Sequence, residues 1–300
     1  MLTLLRQLGV DREVEGAGFV RYAGHNVSWG GAPQFQSFGG DSGGPWLGIQ
    51  ATREKFDAIL LRRAAALGSE VLQPYTARAP LMSGGRVVGV DSSGGLVRSR
   101  FVIDATGGGH WLGRRLGAGV YYASPRLTAY YGYAKAAPAA PEAFPCLEAD
   151  PGGWTWIARI GLEAYAWVHL PFSRERDGVP STPPRLGNCT PTRRTRGADV
   201  TWRLLPQAAG PGYFLAGDAA AVIDPLSSHG VLRALMSGMM AAHLSRLVLR
   251  EGFDEFRAAS TYREWWLGLF EAEVRSMREM YGRLPHDWPP PGLAHAVPSL

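Results

Sequence analysis

Lysine is almost missing from this 300-residue chain: Lys55 and Lys135 are its only two, while lysine and arginine together number 31. The positive charge is therefore nearly all arginine, and the formal net charge of +5 is modest. Apart from Arg193, Arg194 and Arg196 the arginines are scattered, which argues against the concentrated basic footprint of a nucleic-acid partner. That cluster reads as a solvated loop. Cysteine is as scarce. Cys146 and Cys189 have neither CxxC nor metal-ligand spacing, so free thiols in a reducing compartment are expected and no resident metal. No apolar run approaches the ~20 residues of a membrane-spanning helix, and the opening stretch MLTLLRQLGVDREVEGAG is too weakly apolar for a secretory signal. Cytoplasmic is the expected location. A last absence matters more: GxGxxG, the turn that brings backbone close to a dinucleotide pyrophosphate, occurs nowhere.

What is present describes a folded protein, with 46% hydrophobic residues, 19% charged residues and 39 glycines. Residues 2–15 read as one helix, with Leu2, Leu5, Leu8 and Val14 on a face. A glycine- and aromatic-rich region of strands and loops follows to Gly48. A second helix opens at Arg53, carries Phe56, Leu60, Ala64 and Leu67 at helical spacing, and stops at Gly68. Glu70-Val71-Leu72 reads as the start of a strand. RVVGVDSSGGLVRSRFVIDATG reads as a hairpin leading into a buried strand, Phe101 to Asp104. From 118 to about 200 aromatic residues dominate and proline-rich joints separate strand-like segments such as YAWVHLPF, which suggests an antiparallel sheet inserted into an α/β domain. A short buried strand at 213–216, a helix from about 227 to 250 and another over 254–282 complete the chain.

One motif misleads. Gly40-Asp41-Ser42-Gly43-Gly44-Pro45 spells the string around a serine-protease nucleophile. A seryl nucleophile needs a base and a group that orients it. Only His25 precedes Ser42, in no matching context, so a glycine-rich turn is the better reading.

The stretch GYFLAGDAAAVIDPLSSHGVLRALMSGMMAAHL, residues 212–244, carries the chemistry. A hydrophobic strand ends at Gly217 and sets Asp218 at its carboxyl tip, where ligands bind in open α/β sheets. Asp224-Pro225 forces a turn. Ser227, Ser228 and Gly230 then sit at a helix start, whose free N–H groups and positive dipole end suit an anion. A second stretch, FVIDATGGGHWLGRRLG, ends a strand in a glycine-rich bend.

The first stretch resembles the second FAD motif of the para-hydroxybenzoate hydroxylase superfamily, written GDAA…P…G, and the second resembles the DATG motif of flavin-dependent halogenases. The resemblance implies a partial FAD-binding α/β domain with a parallel sheet plus an inserted antiparallel substrate domain, and FAD as cofactor. It implies that Gly217 and Asp218 hold the ribityl chain, that Ser228, Gly230 and Val231 face the ring, and that Asp104 and Gly107 lie beside the phosphates. Arg53 corresponds to an arginine that touches FAD in such proteins; a surface arginine at a helix start is the alternative. Gly153-Trp154-Thr155-Trp156-Ile157 resembles the tryptophan-halogenase signature GWxWxI, with Ala158 in place of its proline, although two tryptophans two apart in a strand also simply share a packed face. No catalytic acid or base stands out; His229 is a candidate, a capping histidine the alternative.

The resemblance also breaks. Without GxGxxG the first βαβ unit is missing, and residues 2–15 would match the helix that follows it; a truncated start is the expectation. Arg21 stands near the place of the halogenase lysine, and an arginine does not readily form the corresponding halide adduct. The implied domains are 1–117 and 205–250 for FAD, 118–204 for substrate, and a helical segment 251–300. The implied function is an FAD-dependent monooxygenase acting on an aromatic or apolar small molecule, reduced by NAD(P)H or a separate flavin reductase. The alternatives are a flavin-dependent halogenase or a non-catalytic remnant unable to hold FAD.

Overall fold

The computed structural model describes residues 1–135, 144–172, 182–187 and 189–284. The proline-rich joints and the C-terminal tail lie largely outside them. The chain divides into two compact units, one built on Met1–Glu70 with Leu127–Asp199, the other on Val71–Arg126 with Val200–Tyr281. The insert thus runs from 127 to 199, and residues 1–70 group with it. The reason is a strand pairing: Gly24–Trp29 runs parallel to Cys146–Asp150, Val27 beside Leu147, so the N-terminal segment extends the inserted sheet.

In the first unit that sheet has eight strands, and every pair but this one is antiparallel. Its middle strands Thr128–Lys135, Gly153–Arg159 and Ala164–Pro171 bury residues on both faces, with Tyr165 and Trp167 two apart on one face and Leu170 on the other, and Trp154 and Ile157 likewise on opposite faces. Tyr165, Trp167, Ile157 and Leu186 form one apolar cluster with Cys189. Both cysteines are buried thiols outside any disulfide.

The expected helix over 2–15 is two helices, Leu2–Leu8 and Asp11–Gly16, because Gly9 turns left-handed (φ 69°) and closes the first. The helix Arg53–Ala66 buries Phe56 and Ile59, not the face expected; Leu67 is 67% exposed. GDSGGP is a minute hairpin, Gly40–Asp41 against Gly44–Pro45, in which Asp41 accepts from the Gly43 amide and the Trp46 indole. Those two bonds hold the Asp41 carboxyl below its ordinary range. His25 engages Gln36 and Phe38 instead of Ser42.

In the second unit Ala77–Ser83, Arg86–Ser92 and Gly95–Arg98 form an antiparallel sheet. The strand expected at Glu70 begins only at Ala77, with Val71 and Leu72 exposed. Beyond the hairpin, Val102–Asp104 pairs in parallel with Tyr213–Leu215 at the edge of a three-stranded sheet. An edge strand is covered less, so Ile103 is 42% exposed where a buried strand was expected. Two long helices, Gly230–Glu251 and Glu255–Tyr281, pack on this frame. The Tyr262 hydroxyl donates to the carbonyls of Leu215 (2.8 Å) and Ser237 (3.2 Å), joining the second helix to the strand and to the first helix. Phe214, Trp266 and Phe270 fill the core around it. No helix of the described residues is long and apolar enough to cross a membrane.

Candidate functional site

The parallel pair decides where the two glycine motifs meet. Asp104 stands opposite Leu215, and Ala216 N–H donates to the Asp104 carbonyl (2.8 Å), so both motifs leave the carboxyl ends of neighbouring strands. In open α/β sheets that end is where ligands sit.

Residues 217–219 form a single turn of 3₁₀ helix. Gly217 has φ +58°, its N–H donates to Ser237 Oγ (2.9 Å), and a Cβ there would lie 3.2 Å from the Ala234 Cβ. We expect Gly217→Ala to cost about 1–3 kcal/mol, since a left-handed conformation and a crowded Cβ both oppose it; urea unfolding measures this. Asp218 follows, exposed, while Gly217, Ala219 and Ala220 around it are buried. The Asp218 side chain is thus the exposed one in a run of buried residues.

Asp224 Oδ1 accepts from Leu226 N–H (2.9 Å) and so caps the short turn Pro225–Ser227. Ser228 then turns left-handed (φ 55°), and the helix Gly230–Glu251 begins with His229 as N-cap and no side-chain cap. Residues 228–230 are exposed. The helix start therefore presents backbone N–H groups of Gly230 and Val231, uncapped by any side chain, next to the turn that carries Asp218.

Asp104 is otherwise employed. It is buried, and its carboxylate accepts from the amides of Thr106 and Leu112, both at 2.8 Å. It shapes the bend that carries Gly107 and caps the helix Trp111–Arg115. Arg53 belongs to the other unit, where its guanidinium makes a two-pronged pair with Asp57 (3.0 and 2.9 Å) on the surface. The four-residue spacing of Arg53 and Asp57 was visible in the sequence.

Two clusters lay beyond sequence reasoning. Buried Arg203 donates from Nε to His110 Nε2 (2.8 Å) and from Nη1 and Nη2 to the carbonyls of Thr201 and Gly108 (2.9 and 3.0 Å). His110 Nδ1–H donates to the Ala219 carbonyl (2.9 Å). The glycine bend and the Gly217–Ala219 turn are thereby tied through one neutral imidazole. Burial, with Arg203 and Arg114 nearby, holds the His110 pKa below its ordinary value. In the second cluster Glu273, from the helix Glu255–Tyr281, meets His229 Nδ1 through Oε1 (3.2 Å) and the buried Arg233 guanidinium through Oε2. Burial raises the Glu273 pKa, but the bonds from His229 and Arg233 outweigh it and leave the net value lowered. Among the described residues no group of three His, Cys, Asp or Glu could hold a metal ion.

In the first unit Trp154 is fully buried and Trp156 half-buried, consistent with packing. Arg21 is exposed and donates to the Glu15 carbonyl (3.2 Å).

Fold and site define the class: an α/β flavoprotein-type fold carrying an inserted antiparallel sheet. The particular fold is that of the flavin-dependent halogenases. The myxobacterial chondrochloren halogenase, an FAD-dependent halogenase variant, superposes with a TM-score of 0.82 at 23% identity, over 95% of this chain and 72% of its own. The flavin-dependent brominase Bmp2 superposes at 0.77, with 22% identity over 94% and 77%. No family model matches the chain. Its sequence relatives include a tryptophan 2-halogenase of Chondromyces crocatus, 27% identical over 88% of this chain, and a 1H-pyrrole-2-carbonyl-[peptidyl-carrier protein] brominase of Pseudoalteromonas luteoviolacea, 26% identical over 87%. A digeranylgeranylglycerophospholipid reductase of Methanopyrus kandleri is 28% identical over 79%. The chain spans 55% of the tryptophan 2-halogenase's length and 70% and 68% of the other two. The superfamily resemblance read in the sequence is borne out: these relatives are flavoenzymes of the FAD-dependent oxidoreductase superfamily.

Proposed function

We propose that the chain binds FAD and acts as an FAD-dependent oxidoreductase, transferring oxygen to an aromatic or otherwise apolar small molecule. The observation that carries this reading is Asp218, an exposed carboxylate among buried neighbours at the carboxyl end of a parallel strand, beside an uncapped helix start. The donor set fits the cofactor. A carboxylate accepts from the hydroxyls of a ribityl chain, and the N–H groups at Gly230 and Val231, behind Ser228, favour a ring oxygen that gains negative charge. Gly217 keeps the backbone low beside the first group, and the bend at Gly107, where an added Cβ would meet nothing, leaves room for a phosphate. Bound flavin would supply electron transfer and oxygen activation, with the protein binding and orienting it. NAD(P)H or a separate flavin reductase would supply the electrons.

The test is retention of flavin. The purified chain, mixed with FAD and passed through gel filtration, should keep the visible absorbance near one equivalent. Asp218→Asn should weaken FAD binding roughly 10- to 100-fold, the worth of one hydrogen bond to a charged group. A chain that is folded by circular dichroism yet retains no flavin would refute the reading and favour the non-catalytic alternative.

Halogenation is the second reading, favoured by the halogenases among the relatives. Against it stands Arg21, permanently protonated, near the place where the resemblance puts a lysine. The loaded chain, supplied with a flavin reductase, NADH, oxygen, bromide and tryptophan or a pyrrole-2-carboxylate thioester, separates the two by product mass. Added oxygen supports the monooxygenase reading and added bromine the halogenase one, which Arg21→Lys should then enhance.

A further inference from the structure

The flavin reading leaves unexplained why a buried ion pair sits directly under the uncapped helix start. Arg233 is almost wholly buried, and its Nε–H has no partner, so the pair with Glu273 is poorly satisfied for its depth. Replacing such a pair with apolar side chains is often neutral or stabilising, so stability alone does not account for it. What the pair accomplishes locally is plain from its other end. The Glu273 carboxyl is held below its ordinary range, and its second oxygen receives His229 Nδ1.

We propose that Glu273 is a positioning residue for His229, and that His229 takes up a proton when the bound flavin beside it is reduced. The inference rests on the flavin reading of this helix start. With Nδ1–H donated to Glu273 Oε1, the neutral imidazole is fixed in one tautomer and Nε2 is left as the proton acceptor. The side chain is half-exposed, so water can supply the proton. Bound flavin reduced by two electrons with uptake of one proton would carry one net negative charge. A second proton, taken by His229 Nε2, places an imidazolium next to that charge, with Glu273 stabilising its far side. The charged groups around His229 are Glu273 from the helix Glu255–Tyr281 and, behind it, Arg233 from its own helix. The turn Pro225–Ser227 contributes Ser227 Oγ, which accepts from the His229 N–H (3.4 Å) and from Arg233 (3.3 Å). Arg233 restrains the uptake while Glu273, the nearer group, promotes it.

The experiment is a dithionite titration of the FAD-loaded chain, with mediator dyes, at a series of pH values spanning the histidine range. In the wild type the potential should fall with pH as two protons per two electrons over part of that range; in His229→Gln it should fall as one proton per two electrons throughout. Glu273→Gln removes an opposite charge at hydrogen-bond distance from His229 and should move the two-proton region to lower pH. A Glu273 with only a structural role would leave that profile in place. If Glu273→Gln fails to fold because Arg233 loses its counter-charge, Glu273→Asp keeps the charge, withdraws the carboxylate by one methylene and should shift the profile in the same direction. Equal slopes in wild type and His229→Gln would overturn the proposal while the flavin site stands. A folded chain that retains no FAD would remove the flavin reading and the proposal together. Nitrogen-15 histidine spectra of the chain without flavin check the Nδ1–H tautomer separately; an Nε2–H tautomer would overturn the positioning role.

Discussion

Arg203→Leu is expected to destabilise the protein by about 3 kcal/mol or more, because buried acceptors lose their donors together. The guanidinium gives Nε–H to His110 and its two other arms to the carbonyls of Thr201 and Gly108; His110 and Thr201 are buried and Gly108 is half-buried, so water can replace the donor at one of the three at most. Leucine fills part of the volume and supplies no donor. Arg203→Lys is expected to recover only a fraction, since one ammonium cannot span three acceptors that a planar fork meets at once. The loss reads directly as a lowered urea midpoint at unchanged slope. A second effect should accompany it. His110 holds the glycine bend to the Gly217–Ala219 turn, so the variant should bind FAD more weakly than its residual stability explains. A midpoint within error of the wild type would show that the network carries no weight.

This network also marks the limit of what the sequence reveals. The strand–Gly217–Asp218–turn–helix run could be read in advance because every one of its signals is local: an apolar strand, a glycine, a proline after aspartate and a helical period. The two C-terminal helices were readable for the same reason, and their ends fall within three residues of expectation. Arg203 and His110 are 93 residues apart, His229 and Glu273 are 44, and Asp224 and Tyr281 are 57. No spacing rule connects such pairs; folding alone brings them together. Asp104 is legible in part: its place at a strand end beside a glycine bend is a local signal, whereas the bond it accepts from the amide of Leu112, eight residues on, is not. The Arg53 helix failed on its face, because Ile59 and not Leu60 turned inward beside Phe56. The grouping of residues 1–70 with the inserted sheet rests on the parallel pairing of Gly24–Trp29 with Cys146–Asp150, and parallel partners more than a hundred residues apart leave no local trace.

Asp224→Asn is expected to remove a pH dependence of stability. Asp224 is fully buried, and burial pushes its carboxyl up to about 6, against 3.8 for the free group. The Tyr281 hydroxyl, donating to Oδ2 at 2.5 Å, and the Leu226 amide, donating to Oδ1, favour the charged form and offset only part of that rise. A folded pKa above the unfolded one means that the native protein holds a proton the unfolded chain releases. The stabilisation is therefore complete below about pH 4 and is lost as pH rises through about 6. A gap of this size corresponds to roughly 3 kcal/mol. Asparagine cannot ionise, still accepts from Leu226 through its oxygen, and can donate to a reoriented Tyr281 hydroxyl. Asp224→Asn should thus gain on the wild type by roughly 3 kcal/mol between pH 4 and pH 7.5, measured as the difference of two urea series. Tyr281→Phe, which removes a donor to the charged form, should move the wild-type inflection to higher pH. Parallel pH curves for Asp224→Asn and the wild type would mean that the buried carboxyl titrates as an ordinary one. The consequence reaches the site through the turn Pro225–Ser227, because Asp224 is the residue that caps it and so sets where Ser228 and the helix start are held.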